Sequence, residues 1–104
     1  MPRQTLENSR NHEIIKFVFR GRDYLVGFGR FPDGRIAEVF IDSVKGGADA
    51  IADARDAAVC FSIAAQYGAP MSVVREALTR NENNVATGIL GAALDAIAEA
   101  EQSK

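Results

Sequence analysis

The sequence predicts an α+β fold: a three-stranded antiparallel β-meander followed by three helices packed on one sheet face. Three observations carry this. Residues 13–42 contain three short runs in which side chains alternate between an apolar and a more polar face, separated by glycine-containing turns. The turns are too short for crossovers, so consecutive strands run antiparallel. From residue 48 onward the period changes: apolar side chains at 51, 54, 58, 61 and 65 have the three-and-four spacing of a helical stripe.

The first twelve residues are polar, with Pro2, Asn8, Ser9, Asn11 and His12, and read as a mobile arm. His12 is the single histidine and reads as an exposed titratable side chain at the arm's edge. Residues 13–20 form the first strand, with Ile15, Phe17 and Phe19 on one face and Ile14, Lys16, Val18 and Arg20 on the other. Gly21-Arg22-Asp23 is a turn and residues 24–30 the second strand. Phe31-Pro32-Asp33-Gly34 is a hairpin signal, because Pro32 presets φ and Gly34 accepts a positive φ. Residues 36–42 form the third strand, with Ala37, Val39 and Ile41 on one face.

Ser43 to Gly47 cross into a long helix that begins at Ala48. After Asp56 the stretch to Pro70 holds no charge, and an apolar-all-round helix is expected to be buried all round. Cys60 is then a core filler. Gly68 ends the helix and Pro70 opens the next, over residues 70–80. A loop at 81–84 leads to a third helix at 85–101, in which Gly88 and Gly91 are expected to let the central helix approach. Residues 13–101 form one domain, and 102–104 a frayed tail.

The net charge of −2 gives no reason to expect nucleic acid or an anionic membrane as partner. It is unevenly placed: residues 1–45 carry eight basic against six acidic side chains, residues 46–104 four against eight. One cysteine makes no intramolecular disulfide, and no stretch of about twenty apolar residues is present. The N-terminus has no apolar run of a secretory signal, so a cytoplasmic location is expected.

The chemical motifs are weak. VGFGRFPDG has the glycines of a phosphate loop but runs into a hairpin instead of a helix, so Gly27 and Gly29 read as a bend or as a place where the central helix lies close. Asp49, Asp53 and Asp56 suit the positive end of a helix dipole. The alternative joins them to Glu38 and Asp42 as an acidic metal cradle; no metal or cofactor is expected on the first reading. A Cys60/His12 dyad would join a core helix to the arm, and no catalytic residue is assigned. Lys16, Arg20, Arg22, Arg30 and Arg35 stand near Tyr24, Phe28 and Phe31, a combination that binds single-stranded nucleic acid elsewhere. The candidate ligand-binding residues are Arg22, Arg30, Arg35, Glu38 and Asp42.

One resemblance goes further. Residues 24–70 carry, in order, Val26-Gly27, Asp33-Gly34, Glu38/Phe40/Asp42, Gly46-Gly47 and Gln66/Gly68/Pro70. This order resembles the C-terminal, TSCPD-type domain of adenosylcobalamin-dependent ribonucleoside-diphosphate reductases, over roughly residues 13–80. That family reduces nucleotides with a radical-forming cysteine and a redox pair carried on a large barrel. This chain has Cys60 alone, and neither the pentapeptide behind the TSCPD name nor the cysteine clusters of its relatives. The resemblance therefore implies lineage without nucleotide reduction: a non-catalytic interaction or regulatory module linked to deoxyribonucleotide metabolism, with a reductase core as partner. A homodimer through the open sheet face, or through the helix of Gly88 and Gly91, is expected. The alternative is a small ligand- or nucleic-acid-binding protein using the basic sheet edge; a third reading is an enzyme with a site around Glu38, Asp42 and the helix aspartates.

Overall fold

Strand β1 (His12–Phe19), β2 (Arg22–Arg30) and β3 (Ile36–Ser43) form a sheet of order β1-β2-β3 with both pairings antiparallel. The computed structural model describes residues 2–6, 11–45 and 48–103, the side chains of residues 48–50 excepted. The Gly46-Gly47 turn, the Asp49 carboxylate, Lys104 and part of the N-terminal arm (residues 1 and 7–10) lie outside that description. Phe19 pairs with Arg22, and the two residues between them, Arg20 (φ 50°) and Gly21 (φ 75°), both have positive φ. This is the turn geometry that matches strand twist. The turn therefore falls earlier than the Gly21-Arg22-Asp23 reading, and Arg22 and Asp23 already belong to the ladder. In the second hairpin Gly34 (φ 95°) donates its amide to Phe31 O, and Phe31 donates to Arg35 O, each at 2.9 Å.

Alternation gives the sheet two unlike faces. Phe17 and Tyr24, then Val26 and Ile41, then Phe28 and Val39 are cross-strand neighbours and all are buried. Two helices cover this face: α1 (Ala48–Gln66) lies along β3 and α3 (Ile89–Gln102) along β1. Leu94 and Ile97 of α3 are fully buried. No helix among the described residues is long and apolar enough to cross a membrane.

Four of the five positions of the stripe read from spacing are buried on α1, Ala54, Ala58, Phe61 and Ala65, and the fifth, Ile51, is half-buried against the core. The alanines let the helix backbone come close to β3. The expectation of burial all round is wrong, however. Val59, Cys60, Ile63 and Tyr67 are exposed. A helix laid on one face of a three-stranded sheet has protein on one side only, so apolar composition cannot bury its outer face. Cys60 is thus not a core filler. The helix ends as expected: Gly68 (φ 108°) donates to Ala65 O and Ala69 to Ala64 O, the paired bonds of a glycine C-cap.

Past the cap, α2 (Met71–Ala77) is shorter than the 70–80 reading, and α3 starts four residues later than the 85–101 reading. Residues 80–86 form a small hairpin instead. Arg80 bridges Ala86, Asn84 takes a φ of 62°, and Asn81 Oδ1 accepts the amides of Asn83 and Val85. The side-chain bonds of Asn81 compete with helix continuation there. Gly91 consequently faces this hairpin and not α1: a Cβ on it would lie 3.0 Å from Ala86 Cβ, and Gly88 has open space around it.

An ion cluster ties α2, the hairpin and α3 together. Arg80 grips Asp95 with two nitrogens, at 2.7 and 2.9 Å, and Arg75 Nε donates to the same carboxylate at 2.6 Å. The Arg80 bonds, followed by Arg75, hold the Asp95 carboxyl below the usual carboxylate range despite partial burial.

Candidate functional site

The uncovered sheet face is organised in cross-strand rows. Register places His12, Gly29 and Glu38 in one row, Ile14, Gly27 and Phe40 in the next, and Lys16, Leu25 and Asp42 in a third. Ile14, Val18 and Phe40 are 70%, 66% and 53% exposed, a large apolar surface for strand side chains. In the first row His12 Nε2 lies 2.9 Å from Glu38 Oε2, and the His12 ring meets Phe40 edge-on at 5.7 Å. Glu38 is 5% exposed, although it stands on the uncovered face.

Gly29 makes that contact fit. A Cβ there would sit 2.9 Å from Glu38 Oε2 and 3.3 Å from both Glu38 Cγ and His12 Cδ2. The nearest neighbours of this glycine are therefore the two side chains that face each other across it, not the central helix. A register shift follows between Gly29 and Arg30, the bend that the glycines were read to mark. Gly29→Ala is expected to push Glu38 off His12 at a cost of about 1 kcal/mol. In urea denaturation, adding His12→Ala to Gly29→Ala should then cost almost nothing more, whereas additive effects would show that the glycine acts elsewhere.

Beside the uncovered face lies a groove of about 520 Å³ between edge strand β3 and α1, lined by Val39, Phe40, Ile41, Val59 and Ile63, with Arg3 and Gln66 at one end. Side chains of α1 occupy part of the strand edge. Ser62 Oγ accepts the Val39 amide at 2.9 Å, and Gln66 Nε2 donates to Ala37 O at 3.3 Å. The described part of the N-terminal segment docks here as well: Arg3 Nε donates to Gln66 Oε1 at 2.6 Å and the Gln4 amide to Gln66 O at 2.7 Å. Val59 and Ile63 on the groove's α1 wall and Tyr67 just past the helix end are 55%, 40% and 49% exposed and spaced by four residues.

The residues singled out from the sequence are spread over the sheet. Arg22 and Arg30 stand eight residues apart on β2, roughly 27 Å at about 3.4 Å per residue. Arg30 pairs with Glu13 at 2.9 Å and Glu101 at 2.8 Å and lies over Phe28. Burial would lower the Arg30 guanidinium, but its bonds to Glu13 and Glu101 outweigh this and raise it. Arg35 lies over Phe31 and pairs with Asp33, whose carboxyl is held low by the Arg35 amide and guanidinium. Asp42 pairs with Arg55 at 3.1 Å, on the same strand as Glu38 but with its own partner. Asp53 and Asp56 are exposed, and no group of three or more metal-ligating side chains occurs among the described residues. Sequence reasoning missed the His12–Glu38 pair because 26 residues separate them; only the strand register joins them.

Comparison with known proteins supplies the relationship. The vitamin B12-dependent ribonucleotide reductase of Agrobacterium fabrum is 38% identical over 77 residues, 74% of this chain and 6% of the reductase. That of Rhodopirellula baltica is 33% identical over 72 residues, 69% of this chain and 7% of the reductase. That of Bradyrhizobium diazoefficiens is 31% identical over 77 residues. The chain is similar to a small region of vitamin B12-dependent ribonucleotide reductases. It spans less than a tenth of their length. No family model matches the chain, and no solved structure matches it.

Proposed function

We propose that this chain is a non-catalytic interaction and regulatory module, related to the C-terminal, TSCPD-type domain of vitamin B12-dependent ribonucleotide reductases, and that it acts beside such a reductase in deoxyribonucleotide metabolism. The observation that carries this reading is the outer stripe of α1. Val59, Ile63 and Tyr67 form an exposed apolar ridge with helical spacing, bordering the β3–α1 groove. Such ridges dock into complementary apolar surfaces, with i and i+4 anchors doing most of the binding. The similarity to part of a reductase supports a reductase as the partner, because a segment of that descent has its natural contacts with the rest of the enzyme.

Titration calorimetry with the full-length B12-dependent reductase of the same host tests the reading. Binding with a micromolar dissociation constant, on the order of −8 kcal/mol, is expected. Val59→Asp and Ile63→Asp should each weaken it by at least about tenfold, roughly 1.4 kcal/mol, with the circular dichroism spectrum unchanged. No heat of binding at about 100 µM of each protein, where a micromolar complex would be nearly saturated, removes the reductase from the proposal.

A further inference from the structure

We infer that the uncovered sheet face is a homodimer interface, closed by a second copy of this chain about a two-fold axis running along β2. The inference concerns a different surface from the α1 ridge and does not rest on the reductase reading.

The rows of the face carry the argument. In each, the β1 member and the β3 member are chemically matched. Ile14 stands across from Phe40 with Gly27 between them, and Lys16 across from Asp42 with Leu25 between them. The row of Val18 and Asp23 continues to Val44, whose amide donates to Asp23 O at 3.2 Å, so valines stand at both of its ends. A two-fold axis along β2 lays β1 of one copy over β3 of the other without changing the row. Ile14 then meets Phe40 of the partner copy, Lys16 meets Asp42, and Val18 meets Val44. Along β1 and β3, apolar groups are set on apolar groups and a cation on an anion; on the axis itself Asp23 faces its own copy, each carboxylate flanked by a Lys16 at 3.4 Å.

The competing face-to-face arrangement has its axis across the strands and fails on charge. It stacks β1 on its own copy: with the axis at the Lys16 row Lys16 faces Lys16, with the axis at the Ile14 row Asp42 faces Glu38, and with the axis between rows Lys16 faces Ile14 or Val18. Like charges directly opposed, or an ammonium pressed on an isoleucine or a valine, oppose association. Lys16 and Asp42 are also free to exchange partners. Each is more than half exposed, and their present partners, Asp23 at 3.4 Å and Arg55 at 3.1 Å, are exposed surface groups too. Gly27 carries no side chain at the centre, so the sheets can approach to the roughly 10 Å of aligned sheet packing.

Three strands about 4.8 Å apart and some seven residues long give a face of roughly 14 by 23 Å, about 320 Å² per copy, which is less than half of a standard interface and the size of a weak, transient one. A dimer in the micromolar range is therefore expected. Sedimentation equilibrium of the full chain, from about 5 to 500 µM, covers that range. Lys16→Asp and Asp42→Lys each set like charges face to face and should raise the dissociation constant at least about tenfold. The double variant Lys16→Asp/Asp42→Lys restores the match and should return it to within about threefold of the parent. Circular dichroism verifies that each variant is folded. A monomer throughout the range, a dimer indifferent to both single changes, or a double variant no tighter than the singles would each overturn the inference. Reductase binding by a chain that stays monomeric would sink the dimer alone, and a dimer that ignores the reductase would sink the other proposal alone.

Discussion

Phe61→Ala is expected to lower the free energy of unfolding by about 3–5 kcal/mol, while Val59→Ala, two residues earlier, changes it by less than about 0.5 kcal/mol. Phe61 is 2% exposed and is the large side chain among the fully buried positions of the α1 stripe, flanked by Ala54, Ala58 and Ala65. Alanines have no side-chain length with which to fill the cavity, so little of the loss is recovered by collapse. Val59 faces solvent, and alanine is the better helix former, which offsets what little contact is lost. Urea unfolding followed by circular dichroism measures both. Because small domains have only about 5–15 kcal/mol of stability, Phe61→Leu, with a smaller expected loss of about 1–2 kcal/mol, guards against a variant that does not fold. Equal losses at 59 and 61 would mean that α1 is enclosed on both sides.

Asp95→Asn is expected to cost about 2 kcal/mol at neutral pH. The asparagine keeps one acceptor oxygen but loses the charge that draws in both Arg75 and Arg80. Hydrogen bonds to charged groups contribute about 1.5–3 kcal/mol, and the partial solvent access of this cluster places the value toward the lower part of the summed range. The pH dependence has a definite sign. The folded carboxyl is held below its unfolded value of about 3.9, so its contribution is complete above that pH. It shrinks as pH falls from there toward the lower folded value, where both states become protonated. Parent and variant should thus differ fully at pH 7 and converge toward pH 2. A gap that persists undiminished in acid, or that is absent at pH 7, would show that Asp95 does not tie the helices electrostatically.

The sequence showed the ladder and the central helix well, because both rest on local signals. Alternation placed Ala37, Val39 and Ile41 on the covered face, and three-and-four spacing placed Ala54, Ala58, Phe61 and Ala65 on the buried stripe. It was less reliable where composition stood in for geometry. Val59, Cys60 and Ile63 are apolar yet exposed, and only the layer arrangement shows this. The hairpin at 80–86 was hidden by apolar residues of helical spacing, over which the Asn81 side-chain bonds prevail. The His12–Glu38 row and the Asp95 cluster depend on register and on helix packing across 26 and 15–20 residues, which no local pattern encodes.

Gln66 sets an order of events for the folding chain. Its side chain takes Arg3 on one side and the Ala37 carbonyl on the other, and its backbone oxygen takes the Gln4 amide. The Arg3 bond spans 63 positions in sequence. Residues 3 and 4 therefore reach their final contacts only after three strands and nearly the whole of α1 have been made. Closing so long a loop is among the slower steps available to a small domain. Docking of residues 3 and 4 is accordingly a late event, and a pulse-labelling experiment should find the Gln4 amide protected after the amides of β2.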